Sequence, residues 1–417
     1  GDGNTHMWQA DSLANIIDDN YKNINIKKIY LDAFTQESTP GGPRSPDAQN
    51  AITESVEKGS LLINYSGHGG ELGWSKERIL EVGQINRWEN KNNLPLFVTA
   101  TCEFSRFDDP DRVSAGEYVF LNKYGGAIAL LSTSRLVYAF PNYSLNKQFM
   151  KVLFEEENGK LPTLGDLFRQ TKVNSGTALN NRNFTLLGDP ALCLAYPDLN
   201  ISTTGISDTI SALEEVTISG QIEDEDGNLV SNFNGFVFPT VFDKEEILNT
   251  LGQESSTPMP YRSQNNILYK GKASVSSGIF SFSFVVPKDI AYNFGSGRIS
   301  YYAISGDSLL DASGYDENFT IGGTASDITV DYDGPEIQLF INNEKFISGG
   351  MTNEDPLLFA ILNDFSGINT VGNGIGHDIV AILDEESNQS ISLNDYYTAD
   401  TDNYKSLPLS EKKDQSG

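Results

Sequence analysis

The hydrophobic period of this 417-residue chain changes once, near Tyr196-Pro197. Up to about residue 197, apolar runs of strand length alternate with one-sided helical stripes. Met7 to Tyr21 carries Met7, Trp8, Leu13, Ile16 and Ile17 on one side, and Ile26 to Leu31 then predicts a buried strand. Ser45-Pro46-Asp47 opens a helix with Pro in its first turn, which should run to Lys58 before Gly59 ends it. Strand Leu61 to Tyr65, helix Ile79 to Trp88, strand Leu94 to Thr99, helix Ser114 to Lys123 and strand Gly126 to Ser132 follow. Repeated strand-helix-strand units predict a parallel sheet with helices on both faces.

Beyond residue 197 the period is two. Val216 to Gly220, Phe236 to Phe238, Ile279 to Phe284 and Arg298 to Tyr302 are short alternating runs separated by turns such as Asp226-Gly227-Asn228. They predict an antiparallel β-sandwich over 198–330. A second boundary falls between Gly322-Gly323 and Asp333-Gly334-Pro335, and Glu336 to Ile341 begins a further β domain, 331–417, whose last residues from Glu411 are polar.

Three domains agree with a length of 417 residues at about 150 per domain. Lys and Arg total 29 against 57 Asp and Glu, and the net charge of -28 argues against nucleic acid or an anionic membrane as an electrostatic partner. Solubility is the simplest reason for the charge, with an acid-dependent calcium role as the alternative. No apolar run reaches the 18 or so residues that a membrane-spanning helix needs. Gly1-Asp2-Gly3-Asn4 reads as the interior of a loop, which leads to the expectation of a piece whose targeting sequence lies upstream.

The chemistry concentrates in two motifs. Asn64-Tyr65-Ser66-Gly67-His68-Gly69-Gly70 follows the apolar run Leu61 to Ile63, and Thr99-Ala100-Thr101-Cys102-Glu103-Phe104 follows Leu96 to Val98. Two neighbouring strands would thus deliver an imidazole and a thiol to the carboxyl edge of one sheet, where such sheets bind ligands. A His within reach converts a thiol to the nucleophilic thiolate and later protonates the leaving amine. Glycines beside His68 leave room for a substrate backbone and free the Gly69 amide, with that of Cys102, to face a developing oxyanion. Only three His and two Cys occur in the chain. The two Cys could form a disulfide, but Cys193 lies within the apolar run Ala191 to Ala195 and reads as a small hydrophobe.

Other polar residues have plainer readings. His6, at the start of the first helix, is expected at the surface or as a cap, and His377 in a Gly-rich turn. Asp224-Glu225-Asp226-Gly227-Asn228 resembles the opening of a calcium loop, yet position twelve is Gly235 rather than Glu, so a hairpin turn is expected. Asp108-Asp109-Pro110-Asp111 should cap the helix near Ser114, with metal contact as the alternative. Trp74, Tyr138, Phe140 and Tyr143 could line a peptide cleft or pack in the core.

The motif from Asn64 to Trp74, Cys102 with Phe107-Asp108, Gly125 to Ala129 and Leu187-Gly188-Asp189-Pro190 together resemble the gingipain family of cysteine peptidases. Thr101 to Pro110 and Gly374 to Ile379 are most similar to its sortase branch, which serves the type IX secretion system of Bacteroidetes. The resemblance implies a caspase-like catalytic domain followed by an immunoglobulin-like domain, with Cys102 as nucleophile, His68 as general base and acid, and the Gly69 and Cys102 amides as oxyanion hole. It further implies a cell-surface enzyme that cleaves carboxy-terminal sorting domains from secreted cargo and passes the cargo to an amine of an anionic lipopolysaccharide, in the company of outer-membrane secretion components. No cofactor is required, and structural calcium is known among the relatives. Glu71, Trp74 and the Ser132-Thr133-Ser134 loop are the candidates for the substrate cleft. The acid that would orient His68 belongs to a part of the family domain ahead of residue 1 and is not assigned. A gingipain-like endopeptidase that only hydrolyses, and a non-catalytic surface adhesion module, are the alternatives.

Overall fold

The structure, a computed structural model, describes residues 3–156, 160–177, 179–290, 293–326, 333–353, 356–364, 367–369, 379–382, 390–404 and 406–412. His377 and most of the Gly374 to Ile379 stretch lie outside them. Two compact units are formed, Gly1–Tyr196 with Ile247–Tyr261, and Pro197–Glu246 with Arg262–Gly417.

The first unit includes α1 (Thr5–Asn20), α2 (Pro46–Glu57), β1 (Leu62–Ser66), β2 (Gly69–Gly70), β3 (Gly73–Trp74), β4 (Leu80–Glu81), β5 (Leu96–Ala100), α3 (Ala115–Leu121), β6 (Ala129–Thr133), α4 (Ala139–Val152), α5 (Leu164–Asn174) and β7 (Phe184–Leu187). The main sheet has the order β1-β5-β6-β7, parallel at its first two joints and antiparallel at the third. Strand β5 is buried at all five positions, and successive side chains enter different cores. Phe97 joins Ala48, Ile52, Val56 and Val119, whereas Leu96 and Val98 join Leu13, Ile17, Phe149, Leu164 and Leu167. A strand covered on both faces reads as a continuous apolar run because its side chains alternate between two dry layers.

Helix α2 begins where Pro46 follows Ser45, buries Ala48, Ala51, Ile52 and Val56 on one side, and ends before Gly59 at φ +94°. Helix α3 starts at Ser114, whose backbone and side chain both meet the Glu117 carboxylate in a capping box. The Asp108 to Asp111 run therefore does not cap this helix. Leu187-Gly188-Asp189-Pro190 is a turn leaving β7, where Gly188 stands at φ +143° and a Cβ would come within 2.6 Å of the Ala129 Cβ. Asp189 accepts the Ala191 amide in the same turn.

Two expected elements differ. Ile26 to Tyr30 carries no regular secondary structure and joins no sheet, and Leu31 opens a 3-10 turn, Leu31–Ala33; Ile26, Ile29 and Leu31 pack against the two cores. Ile79 to Trp88 is the short strand β4 followed by one helical turn, Val82–Ile85. Pairing of Leu80 with Trp74 in the small sheet β2-β3-β4 overrides the helical reading, and Ile79, Leu80, Ile85 and Trp88 are buried all the same.

Residues Ile247–Tyr261 join the first unit although their neighbours in sequence belong to the second. Asp32 organises this arm: its carboxylate accepts the Gly252 and Gln253 amides at 2.9 and 2.8 Å, and its carbonyl accepts that of Leu251. Gln253 in turn donates to the Phe34 carbonyl and accepts from the Gln36 amide. Because charged acceptors are worth about 1.5–3 kcal/mol per bond, Asp32→Ala should destabilise the protein by about 2–3 kcal/mol, read as a lower urea midpoint and earlier proteolysis within 247–261.

Among its described residues the second unit is built of β strands apart from one 3-10 turn, Asn394–Tyr396. Eight strands form one curled sheet in the order Ile279–Val285, Glu215–Glu223, Leu199–Gly205, Asp311–Asp316, Arg298–Ser305, Gly235–Phe242, Ile267–Val275 and Ala399–Thr401. A second sheet of Thr209–Ala212, Thr320–Thr324 and Gly295–Ser296 contributes Ile210, Ala212 and Ile321 to the same core as Val216, Ile218, Phe280, Phe282 and Tyr301. Eight and three strands differ from the four and three of an immunoglobulin constant domain. Pairing is also not wholly antiparallel, since Leu199–Gly205 runs parallel to Asp311–Asp316. Ala399 and Thr401 pair with Gly271 and Lys272, so part of the third β segment closes the edge of the large sheet. Asp224 accepts the amides of Asp226 and Asn228, which makes 224–228 a tight hairpin turn with its first carboxylate already occupied by backbone.

Candidate active site

The register of β1 against β5 decides what meets at the sheet edge. Leu62 pairs with Leu96, and the ladder runs in step to Ser66 and Ala100. His68 and Cys102 each lie two residues past the last pair, on strands that run about 4.8 Å apart. The loops beyond the strands remain in contact: a Cβ on Gly69 would fall 2.6 Å from Thr101 Oγ1 and 2.8 Å from the Gly73 carbonyl oxygen. The residue after His68 is thus packed on the residue before Cys102.

The glycines around His68 make room for the protein itself. A Cβ on Gly67 would lie 2.5 Å from Tyr65 Oη. The Tyr65 ring stacks on Trp74 at 4.2 Å and 4°, and its hydroxyl donates to the His68 carbonyl at 2.6 Å. The Ser75 amide donates to that same carbonyl at 2.8 Å. This bond makes 68 and 75 a hydrogen-bonded pair of the β2-β3 hairpin, so the next pair, Gly69 with Trp74, is a non-bonded one. The Gly69 N–H therefore points away from β3. The His68 side chain is exposed, and the His6 ring meets it edge to face at 5.0 Å. His6, expected as a surface or capping residue, is a neighbour of this imidazole instead.

Cys102 caps β5 in a bend. Both cysteines are free thiols, Cys102 half-buried and Cys193 exposed rather than in the core. The Cys102 thiol donates to the Val137 carbonyl at 3.5 Å. Glu103 follows in the left-handed region at φ +52°, a strained conformation for a residue with a Cβ that reverses the chain directly after the sulfur. It is held by bonds on either side, Glu103 amide to Arg135 carbonyl, Ser105 amide to Thr133 carbonyl, and Thr133 hydroxyl to Thr101 carbonyl.

The expected cleft residues divide. Trp74 is 2% exposed and belongs to the core under the His68 hairpin. Ser132 and Thr133 are fully buried because β6 continues through them; Ser132 Oγ accepts from Thr99, and Thr133 ties β6 to the Thr101 bend. Neither a core ring nor a central strand can line a groove. Ser134, half-buried, marks the turn off the strand and bonds Asn183. Glu71 is near the centre but is used internally, since its two oxygens take Arg106 Nη1 at 2.7 Å and Arg112 Nη1 at 2.9 Å. That contact pushes the Arg106 guanidinium up from its ordinary value.

What does face outward beside Cys102 is the segment after Ser134. Leu136, Tyr138 and Phe140 are 66%, 70% and 68% exposed, while the intervening Val137 and Ala139 are half-buried. Its carbonyls are turned inward and fixed: Leu136 accepts from Asn183, Val137 from the Cys102 thiol, and Tyr138 from Asn180. Tyr138 and Phe140 were visible in the sequence as cleft candidates; Leu136 was not, because a single Leu after a strand carries no periodic signal. Arg135 donates to both oxygens of Asp108 and holds that carboxyl below its usual range, which fixes the rim at its other end. Among the described residues no group of three or more His, Cys, Asp or Glu is gathered closely enough to hold a metal ion.

A helix-flanked, mainly parallel sheet with a thiol and an imidazole at neighbouring parallel strand ends is the arrangement of an α/β cysteine peptidase. Residues 1–195 match the model of peptidase family C25, the gingipain family. No curated protein sequence matches the chain. Among solved structures, dimeric latent PorU from Porphyromonas gingivalis is 31% identical over 62% of this chain and 26% of its own, with a TM-score of 0.35. The complex of Porphyromonas gingivalis RgpB pro- and mature domains is 16% identical over 73% of this chain and 62% of its own, with a TM-score of 0.37. The chain spans about a quarter of the length of that PorU chain.

Proposed function

We propose that the first unit is a cysteine peptidase in which Cys102 is the nucleophile and His68 the general base and acid. The observation that carries this reading is the in-step register of β1 and β5 together with the close approach of Gly69 to Thr101. His68 takes the Cys102 proton, and the sulfur attacks the scissile carbonyl carbon. The charge that develops on the carbonyl oxygen is met by the Gly69 and Cys102 amides, and His68 returns the proton to the departing amine as the carbon–nitrogen bond breaks. A thioester on Cys102 remains. The exposed apolar comb Leu136, Tyr138 and Phe140 supports a peptide substrate that lays bulky side chains along this rim.

Water or an amine can resolve the thioester, with His68 removing the proton from either. We read the enzyme as a sortase that removes carboxy-terminal sorting domains from type IX secretion cargo at the cell surface and joins the cargo to a lipopolysaccharide amine. This finer reading draws on the sequence resemblance, and no helix among the described residues is long and apolar enough to cross a membrane. The test is mass spectrometry of a cargo sorting domain incubated with the protein, with and without an amine acceptor. Cleavage with a product heavier by the acceptor supports transfer; cleavage with the hydrolytic product alone supports the endopeptidase; no cleavage, with Cys102 inert to a peptidyl electrophile, removes the enzyme altogether.

A further inference from the structure

Both loops of the proposed pair converge on one side chain. Glu71 is three residues beyond His68, and everything it binds comes from the segment that carries Cys102. Its Oε1 takes Arg106, four residues after the nucleophile; its Oε2 takes Arg112; its own carbonyl accepts the Ala115 amide at 2.6 Å. Arg106 also reaches Glu103 at 3.4 Å, the residue held at positive φ directly after Cys102, and Asp109 at 3.8 Å. The Glu71 side chain is 13% exposed while Arg106 and Arg112 are 37% and 55% exposed, so the Arg106 contact is the better shielded of the two. Seen along the chain, the loop 103–114 is pinned to the His68 hairpin near its start, near its end and at the first amide of α3.

We infer that Glu71 is a positioning residue that sets the distance between the Cys102 thiol and the His68 imidazole, an inference that rests on the proposed peptidase reading. A carboxylate that bridges two arginines suits the task because each guanidinium presents a rigid, charged donor to one oxygen. Glu71 takes no part in bond making. Its loss lets the two loops drift relative to each other, and a displacement of about 1 Å at a reacting pair costs on the order of 10²-fold in rate. Substrate binding, which uses the Leu136 to Phe140 rim, is expected to be unaffected.

The experiment is done in a Cys193→Ser background, since Cys193 is an exposed second thiol. Iodoacetamide alkylation of Cys102 at neutral pH is measured for the parent, His68→Ala, Glu71→Gln, Arg106→Gln and the double variant Glu71→Gln/Arg106→Gln, along with kcat and KM on a peptide and the thermal midpoint. The expected result is that Glu71→Gln lowers both the alkylation rate and kcat by about 10-fold to 100-fold with KM changed less than twofold. The double variant should be no slower than the worse single one, because the two residues act as a unit. Glu71→Gln with unchanged alkylation and kcat, or with losses fully accounted for by an unfolded fraction, overturns the inference and leaves the peptidase reading standing. A parent protein whose Cys102 alkylates no faster than in His68→Ala overturns the peptidase reading itself, which sets the two failures apart.

Discussion

Cys102→Ala is expected to lower peptide cleavage by at least about 10⁴-fold while the thermal midpoint stays within about 1 °C of the parent. Removal of a nucleophile leaves only the binding and oxyanion contributions, which cannot form a covalent intermediate. The fold should not register the change: Cys102 is half-buried, is in no disulfide, and its thiol gives one long bond to the Val137 carbonyl. Turnover of a fluorogenic peptide and a melting curve settle the matter together. Cleavage retained within tenfold by the alanine variant would falsify the assignment of Cys102.

The second large effect is at Gly69. An alanine methyl there meets Thr101 Oγ1 at 2.6 Å and the Gly73 carbonyl oxygen at 2.8 Å, and the latter is backbone that cannot rotate aside. Either the β2-β3 hairpin shifts or the Thr101-Cys102 bend does. Both move the Gly69 amide from the position proposed for the oxyanion, and loss of one such donor costs about 10²–10³ in kcat. Overpacking of this kind also costs about 1–3 kcal/mol of stability. Gly70→Ala is the control, since a Cβ on Gly70 meets nothing within 4 Å and its activity should remain within a few-fold of the parent. Equal activity for the two alanine variants would mean that the contact between the hairpin and the bend is irrelevant to catalysis.

Much of the candidate site was legible in the sequence. Apolar triplets ahead of His68 and Cys102 marked two strands, and the rule that parallel sheets bind ligands at their carboxyl ends put both residues on one edge. The glycines beside His68 were also visible, though their reason was not: Gly67 clears the Tyr65 ring and Gly69 clears Thr101, contacts within the protein rather than with a substrate. Trp74 misled because an aromatic residue next to a catalytic motif suits a cleft as well as a core, and only its stacking on Tyr65 decides for the core. Ser132 and Thr133 misled because the polar end of a strand looks like a loop until its hydroxyls are seen bonded to β5 and the bend that follows it.

Periodicity determined by itself the order of parts, an α/β segment to Tyr196 and β strands after it, because the spacing of apolar residues is set by the local geometry of helix and strand. The thiol, the imidazole and the strand ends ahead of them were legible in the same local way. Tertiary structure alone decided which side chains cover which. It turned Glu71 into a bridge to Arg106 and Arg112, made an outward rim of Leu136, Tyr138 and Phe140, and joined residues 247–261 to the first unit through Asp32. These contacts span from a few tens to more than two hundred residues of sequence, and no local pattern encodes the partner of a side chain that far away; only the packed chain brings the two together.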